Sequence, residues 1–172
     1  MSMTQDAASE WNGLFLRLSK DADVVVVDTP AGLYGPTYSI LRAASHVVAV
    51  LQAETVAHRS FGVFQQMVGS IPTEERPQML GVLLNMLQAS ETASVDVLRD
   101  ACANLPSQWL FDVTIPRHPA FLRASHDGLP LGMVDEKNPP AVAWLFDGLA
   151  SEVADRLKLR IPEERPKKRL LL

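Results

Sequence analysis

The chain has 172 residues, 47% of them hydrophobic, and a formal net charge of −4. That length and apolar content suit a single domain with its own core, and the acidic balance argues against a generally basic nucleic-acid-binding protein, though not against a local basic patch. The single cysteine, Cys102, excludes an intramolecular disulfide and fits a reducing cytoplasm. No run approaches the ~18 apolar residues that a bilayer crossing requires. The polar opening MSMTQDAASE does not read as a signal peptide.

Ala7, Ala8, Trp11, Leu14, Phe15 and Leu18 recur at helical spacing and predict an amphipathic first helix. It leads into Val24, Val25, Val26 and Val27, a run expected to be a strand buried on both faces. The run stops at Asp28, followed by Thr29, Pro30 and Gly32. A buried strand that delivers a carboxylate ahead of a glycine-bearing loop is where α/β sheets bind ligands. The other reading is a strand that ends in a polar turn. Pro36 stands near the start of a helix through Ile40, Leu41 and Ala44, where its missing N–H is harmless.

Residues 46–51 read as a second buried strand, and Thr55 as the N-cap of a helix carrying Val56, Phe61, Phe64, Met67 and Val68. Residues 72–77 form a charged loop. A third strand over 79–84 delivers Asn85 to the same edge as Asp28 if the strands are parallel. Ser90 or Thr92 is expected to cap a helix with Val95, Leu98, Ala101, Cys102 and Leu105 on its apolar side, which makes Cys102 a packing residue. A fourth strand over 109–115 ends at Pro116, and Pro119 opens a short helix closed by Gly128 and Pro130. Residues 131–134 suggest a short edge strand. Asn138 is expected to cap the last helix, with Pro139 and Pro140 in its first turn and Val142, Leu145, Phe146, Leu149, Val153 and Leu157 as its stripe. Strands alternating with helices at this spacing imply a parallel sheet with right-handed crossovers.

The stretch DVVVVDTPAGLYGPTYSILRAASHVVAVLQAETVAHRSF resembles the Walker B and switch II region of the ParA/MinD family of P-loop ATPases. LGVLLNML is similar to that family's next core strand. The segment from Phe111 onward, with its I-P-R element and A-x-x-x-G-x-P turn, is similar to the family's C-terminal region. The resemblance runs from Asp23 to Leu157 and implies a three-layer α/β fold of the P-loop NTPase type (the SIMIBI class) over residues 1–159. The family's glycine-rich, lysine-bearing Walker A loop has no counterpart in these residues. The fold is therefore expected to lack the N-terminal P-loop strand, and the chain is expected to be a piece of a longer protein, through truncation, a misplaced start codon or a split gene. Residues 160–172 are expected to be a disordered basic tail, because Pro162 and Pro166 interrupt any membrane-binding helix.

The resemblance also assigns roles. Asp28 matches the aspartate of the Mg²⁺ and water network that serves γ-phosphate hydrolysis; its other reading is a loop cap. Thr29, Pro30 and Gly32 match the switch loop, Asn85 an adenine-contacting position, and Pro116 with Arg117 the element packed against the base. The structural alternatives are turn residues, a strand stop and a solvated charge. ATP and Mg²⁺ are expected only if the missing P-loop segment is supplied. The implied function is the C-terminal portion of an ATPase that positions DNA or a protein complex, inactive as an ATPase in this form. The rival is a non-catalytic interaction or dimerisation module. DTPAG and QAET also resemble the BcsQ-like branch linked to cellulose synthesis. Expected partners are a second copy or another protein, with DNA reachable through residues such as Arg117 and Arg123, and no membrane. His46, His58, His118 and His126 lack metal-ligand spacing, and Ser60 and Ser125 lack a G-x-S-x-G setting.

Overall fold

The computed structural model describes residues 3–160 except 31, 33, 55, 56 and 136. Among the described residues, six α-helices and two strands follow in order: α1 (Met3–Leu18), α2 (Pro36–Ala43), β1 (His46–Gln52), α3 (Ala57–Ser70), β2 (Gln78–Asn85), α4 (Thr92–Asn104), α5 (Pro119–Asp127) and α6 (Trp144–Arg156). β1 and β2 pair in parallel, from His46 opposite Gln78 to Gln52 opposite Asn85. Their composition explains the pairing: Val47, Val48 and Val50 in β1 and Val82 in β2 are β-branched, and Val82 is fully buried.

Helices cover both faces of this sheet. On one face, Leu41 of α2 packs with Met67 of α3 and with Ile71 just beyond it against Val47, while Phe61 of α3 meets Ala49 and Val82. On the other face, Leu83 packs with Phe111 and Ile115, backed by Leu145, Leu149 and Val153. The result is the expected three-layer arrangement. α2 begins at Pro36 as anticipated, and α5 opens at Pro119 and closes at Gly128 in the left-handed region (φ 63°).

The register slips by one residue between Val47 and Val48, opposite Leu80. The carbonyl of Leu80 accepts a hydrogen bond from Arg156 Nη1 at 2.8 Å. Gly81 follows at once, and a Cβ there would overlap the Phe111 ring and stand 2.7 Å from Arg156 Nη1. A glycine is needed at this position because an arginine and a phenylalanine lie directly over the backbone.

Several expectations are corrected. The valine run 24–27 is not a strand; residues 22–30 make no backbone–backbone hydrogen bond with another described residue, and Val26 is 88% exposed. Residues 109–115 are not a strand; they contribute one isolated bridge to β2, Leu110 to Val82, and Pro116 adds another to Leu87 just beyond it. The ladder breaks where the Val113 amide, next in line for Leu84 O, turns to Glu152 Oε2 at 3.5 Å, and the next bond to β2 comes from Ile115 to Leu84 O at 2.9 Å. Leu131–Met133 is a 3-10 turn rather than an edge strand, with Gly132 at its centre. Asn138 does not cap the last helix: Asp135 Oδ1 accepts from the Lys137 and Asn138 amides, and Ala141–Ala143 forms a 3-10 turn before Trp144. Glu91 precedes α4 without a side-chain cap. Cys102 is exposed rather than packed, while Leu105 from the same expected stripe packs against the Ala49, Phe61 and Val82 cluster. Thr55 and the tail beyond residue 160 lie outside the described residues.

Candidate functional site

Parallel pairing brings the C-terminal ends of β1 and β2 to one edge of the sheet, with Gln52 beside Asn85. The chain leaves β1 through Ala53, whose amide donates to Asn85 O at 2.9 Å. Asn85 Oδ1 accepts from the Met86 amide at 2.9 Å, and Met86 takes a left-handed conformation (φ 57°) that is uncommon for a residue with a long side chain. Gln52 Nε2 donates to Glu54 Oε1 at 2.8 Å and to Met86 Sδ at 3.3 Å. Leu87 then pairs with the segment that carries Pro116: its amide donates to Ile115 O at 3.0 Å, and its carbonyl accepts from the Arg117 amide at 2.9 Å. The structure therefore sets the Asn85 end of β2 next to the Pro116 turn.

Beneath this edge lies Ser94, which sequence reasoning missed. It is buried in the first turn of α4. Its hydroxyl donates to Ala53 O and accepts from the Gln88 amide, both at 3.0 Å. One hydroxyl thus ties together the exits of both strands and the start of α4. The only sequence signal was a serine among the apolar positions of that helix.

Asp28, Thr29 and Pro30 are exposed, and Asp28 makes no hydrogen bond or ion pair with another described residue. The end of this segment is fastened to α2, where the buried Thr37 Oγ1 donates to Pro30 O at 3.1 Å. Gly32 has φ 108° and Gly35 φ 66°, conformations that an L side chain strains to adopt, so both act as turn glycines. No hydrogen bond joins Asp28, Thr29, Pro30 or Gly32 to Asn85 or Pro116 among the described residues. An open cavity of about 430 Å³ between α2 and α3 is lined by Tyr34, Gly35, Tyr38, Val63, Gln66, Met67 and Ser70, none of which the sequence singled out as a site residue.

The residues present do not by themselves build a nucleotide site. Phosphates need a cradle of backbone N–H groups and a cation, and this sequence has no glycine-rich lysine loop. The described residues hold no cluster of three or more His, Cys, Asp or Glu placed to bind a metal. His118 serves the backbone instead: its Nδ1 accepts from the Ala120 amide at 3.1 Å and caps α5. At the opposite edge of the sheet, the Arg42 guanidinium is hydrogen-bonded to Glu75 and holds that carboxyl below its ordinary range.

No family model matches the sequence, and no curated protein matches it. The structure is similar to that of the MinD cell division protein of Aquifex aeolicus, with a TM-score of 0.58 and 22% sequence identity. The match covers 92% of this chain and 64% of that one, so this chain spans less than two thirds of that protein's length. The likeness shows a fold of the ParA/MinD type. No described helix is long and apolar enough to cross a membrane.

Proposed function

We propose that this chain is the C-terminal portion of a cytoplasmic ParA/MinD-like ATPase and does not hydrolyse ATP in this form. The observation that carries the reading is the C-terminal sheet edge, where Asn85 and the Pro116 turn stand side by side in a fold similar to MinD. In this reading Asn85 and Pro116 flank the base. Asp28, Thr29, Pro30 and Gly32 form the loop that would order around a phosphate, and Asp28 would act on Mg²⁺ through water. Those groups orient and order; the phosphate-binding donors come from outside these residues. The complete enzyme would act as a dimer in positioning DNA or a protein complex, with Arg117 and Arg123 as surface cations available to DNA.

The absence of a Walker A loop favours a second reading, a non-catalytic interaction or dimerisation module, which could serve cellulose synthesis. Joining a Walker A segment of the ParA/MinD type to the chain separates the two. The ATPase portion is expected to gain binding of a fluorescent ATP analogue that Asn85→Ala weakens and Asp28→Ala uncouples from hydrolysis. Retained nucleotide silence in a folded joined protein would sink the ATPase reading, and ATP turnover by the chain alone, abolished by Asp28→Ala, would refute its inactivity.

A further inference from the structure

The cavity between α2 and α3 is separate from the sheet edge, and helical spacing explains its walls. Val63, Gln66, Met67 and Ser70 recur at i, i+3, i+4 and i+7 on α3 and so share one face. Tyr38 of α2 and Tyr34, just ahead of that helix, form the other wall. The floor is built into the core: Met67 is 6% exposed and clusters with Leu41 and Ile71, and Tyr38 packs on the same cluster. The rim is open. Tyr34 is 79% exposed and precedes Gly35, whose φ of 66° turns the backbone where α2 begins.

The cavity's volume of about 430 Å³ falls within the range of small-molecule sites, about 300–1,000 Å³. Its side chains define the chemistry it can receive. None is Lys, Arg, His, Asp or Glu, so a charged ligand finds no counter-charge to offset its lost hydration. Val63, Met67 and the two phenol rings supply apolar surface. Ser70 Oγ donates its proton to Met67 O at 2.6 Å. The Gln66 amide makes no hydrogen bond with another described residue and keeps both a donor and an acceptor. A flat ring against Tyr34 gains aromatic contact, and Met67 adds a sulfur–ring contact. An N–H or O–H on such a ring finds its acceptor in Gln66.

We infer that this cavity binds a small, uncharged aromatic ligand bearing an N–H or O–H group, with Tyr34 closing over the ring and Gln66 accepting its proton in a hydrogen bond. Thr37 fastens Pro30 to the first turn of α2, so a ring held by Tyr34 also steadies the far end of the loop that starts at Asp28. Neither the site nor its test involves nucleotide, and both stand apart from the ATPase reading.

The probes are indole, which is flat, uncharged and carries one N–H, and N-methylindole, which lacks it. Titration of the isotope-labelled whole chain with indole, followed by amide NMR, is expected to shift Tyr34, Tyr38, Val63, Gln66 and Ser70 together. One saturation curve should fit them, with a Kd of about 1 mM. Tyr34→Ala is expected to weaken indole by about fivefold or more, and Tyr34→Phe, which keeps the ring, by less than about twofold. Gln66→Leu is expected to weaken indole by about fivefold and to leave N-methylindole unchanged. Tyr34 and Gln66 are both exposed, so unfolding midpoints equal to the parent's establish that these variants are folded. The inference is overturned by the absence of saturable shifts, by shifts centred elsewhere, such as on Trp144 at 59% exposure, or by indole binding indifferent to Tyr34→Ala or Gln66→Leu. Concentration-dependent broadening of the same amides without indole, removed by Tyr34→Ala, would make a second copy of the chain the occupant and overturn it as well.

Discussion

Replacing Arg156 by methionine tests how the third segment of the sheet is held. The guanidinium donates to Leu80 O at 2.8 Å, Gln108 O at 2.9 Å, Leu110 O at 2.6 Å and Glu152 Oε1 at 2.7 Å, and its central carbon lies 4.1 Å from the Phe111 ring centroid. Methionine keeps the length and apolar stem but none of the donors. Hydrogen bonds to a charged group contribute about 1.5–3 kcal/mol each, and breaking a buried ion pair from one side costs about 3–5 kcal/mol. These values are not additive, and the Arg156 and Glu152 side chains are 19% and 16% exposed. A loss of about 3–4 kcal/mol is therefore expected, a large fraction of the ~5–15 kcal/mol that holds a domain together. With a urea slope of about 2 kcal/mol/M, the unfolding midpoint should fall by about 1.5–2 M. Arg156→Lys keeps the charge, but its compact ammonium cannot reach three carbonyls and a carboxylate at once, so about half of the loss should remain. Urea titration followed by circular dichroism reads both values. An Arg156→Met midpoint within experimental error of the parent would show that this network does not secure the segment that leads to Pro116.

Two further outcomes follow from polar contacts, one buried and one partly exposed. Ser94→Ala leaves the Gln88 amide and the Ala53 carbonyl without their shared partner, and should cost about 1–3 kcal/mol in the same titration; an unchanged midpoint would mean that the strand exits are held by something else. Glu75 has its pKa lowered by the hydrogen bond from Arg42. A depressed carboxylate contributes stability above its unfolded pKa and loses it as pH falls through the folded value. Melting temperatures of Glu75→Gln should therefore lie below those of the parent at neutral pH and converge with them in acid, below about pH 4. A gap that persists in acid would contradict the pairing.

Much of the fold was legible because its signals are local. Pro36 and Pro119 opened helices, Gly128 closed one, and the apolar runs at 46–51 and 79–84 became the two paired strands. The valine run was misread for a physical reason: four β-branched residues favour a strand, but a strand needs neighbours to accept its backbone groups, and composition does not say whether they are present. The break at Val113 was equally illegible, since it depends on Glu152 arriving from 39 residues away. The pair Glu152 and Arg156 was readable as an i, i+4 ion pair on a helix surface; its turn inward onto backbone carbonyls was not. Of the site, the sheet edge at Asn85 and Pro116 could be anticipated from strand order, whereas Ser94 is identified only by the two exits that converge on it.

The attachment of α1 has a consequence for how the molecule opens. α1 packs chiefly on α2 and is joined to it through residues 22–30, which have no backbone ladder to the sheet among the described residues. Cooperative opening units follow such boundaries. Release of α1 leaves the Val82, Leu83 and Ile71 clusters intact, so this domain has a graded native state. Its first opening unit is a helical arm with Arg17 and Lys20 near its base, within reach of a trypsin-like protease before the sheet has begun to unfold.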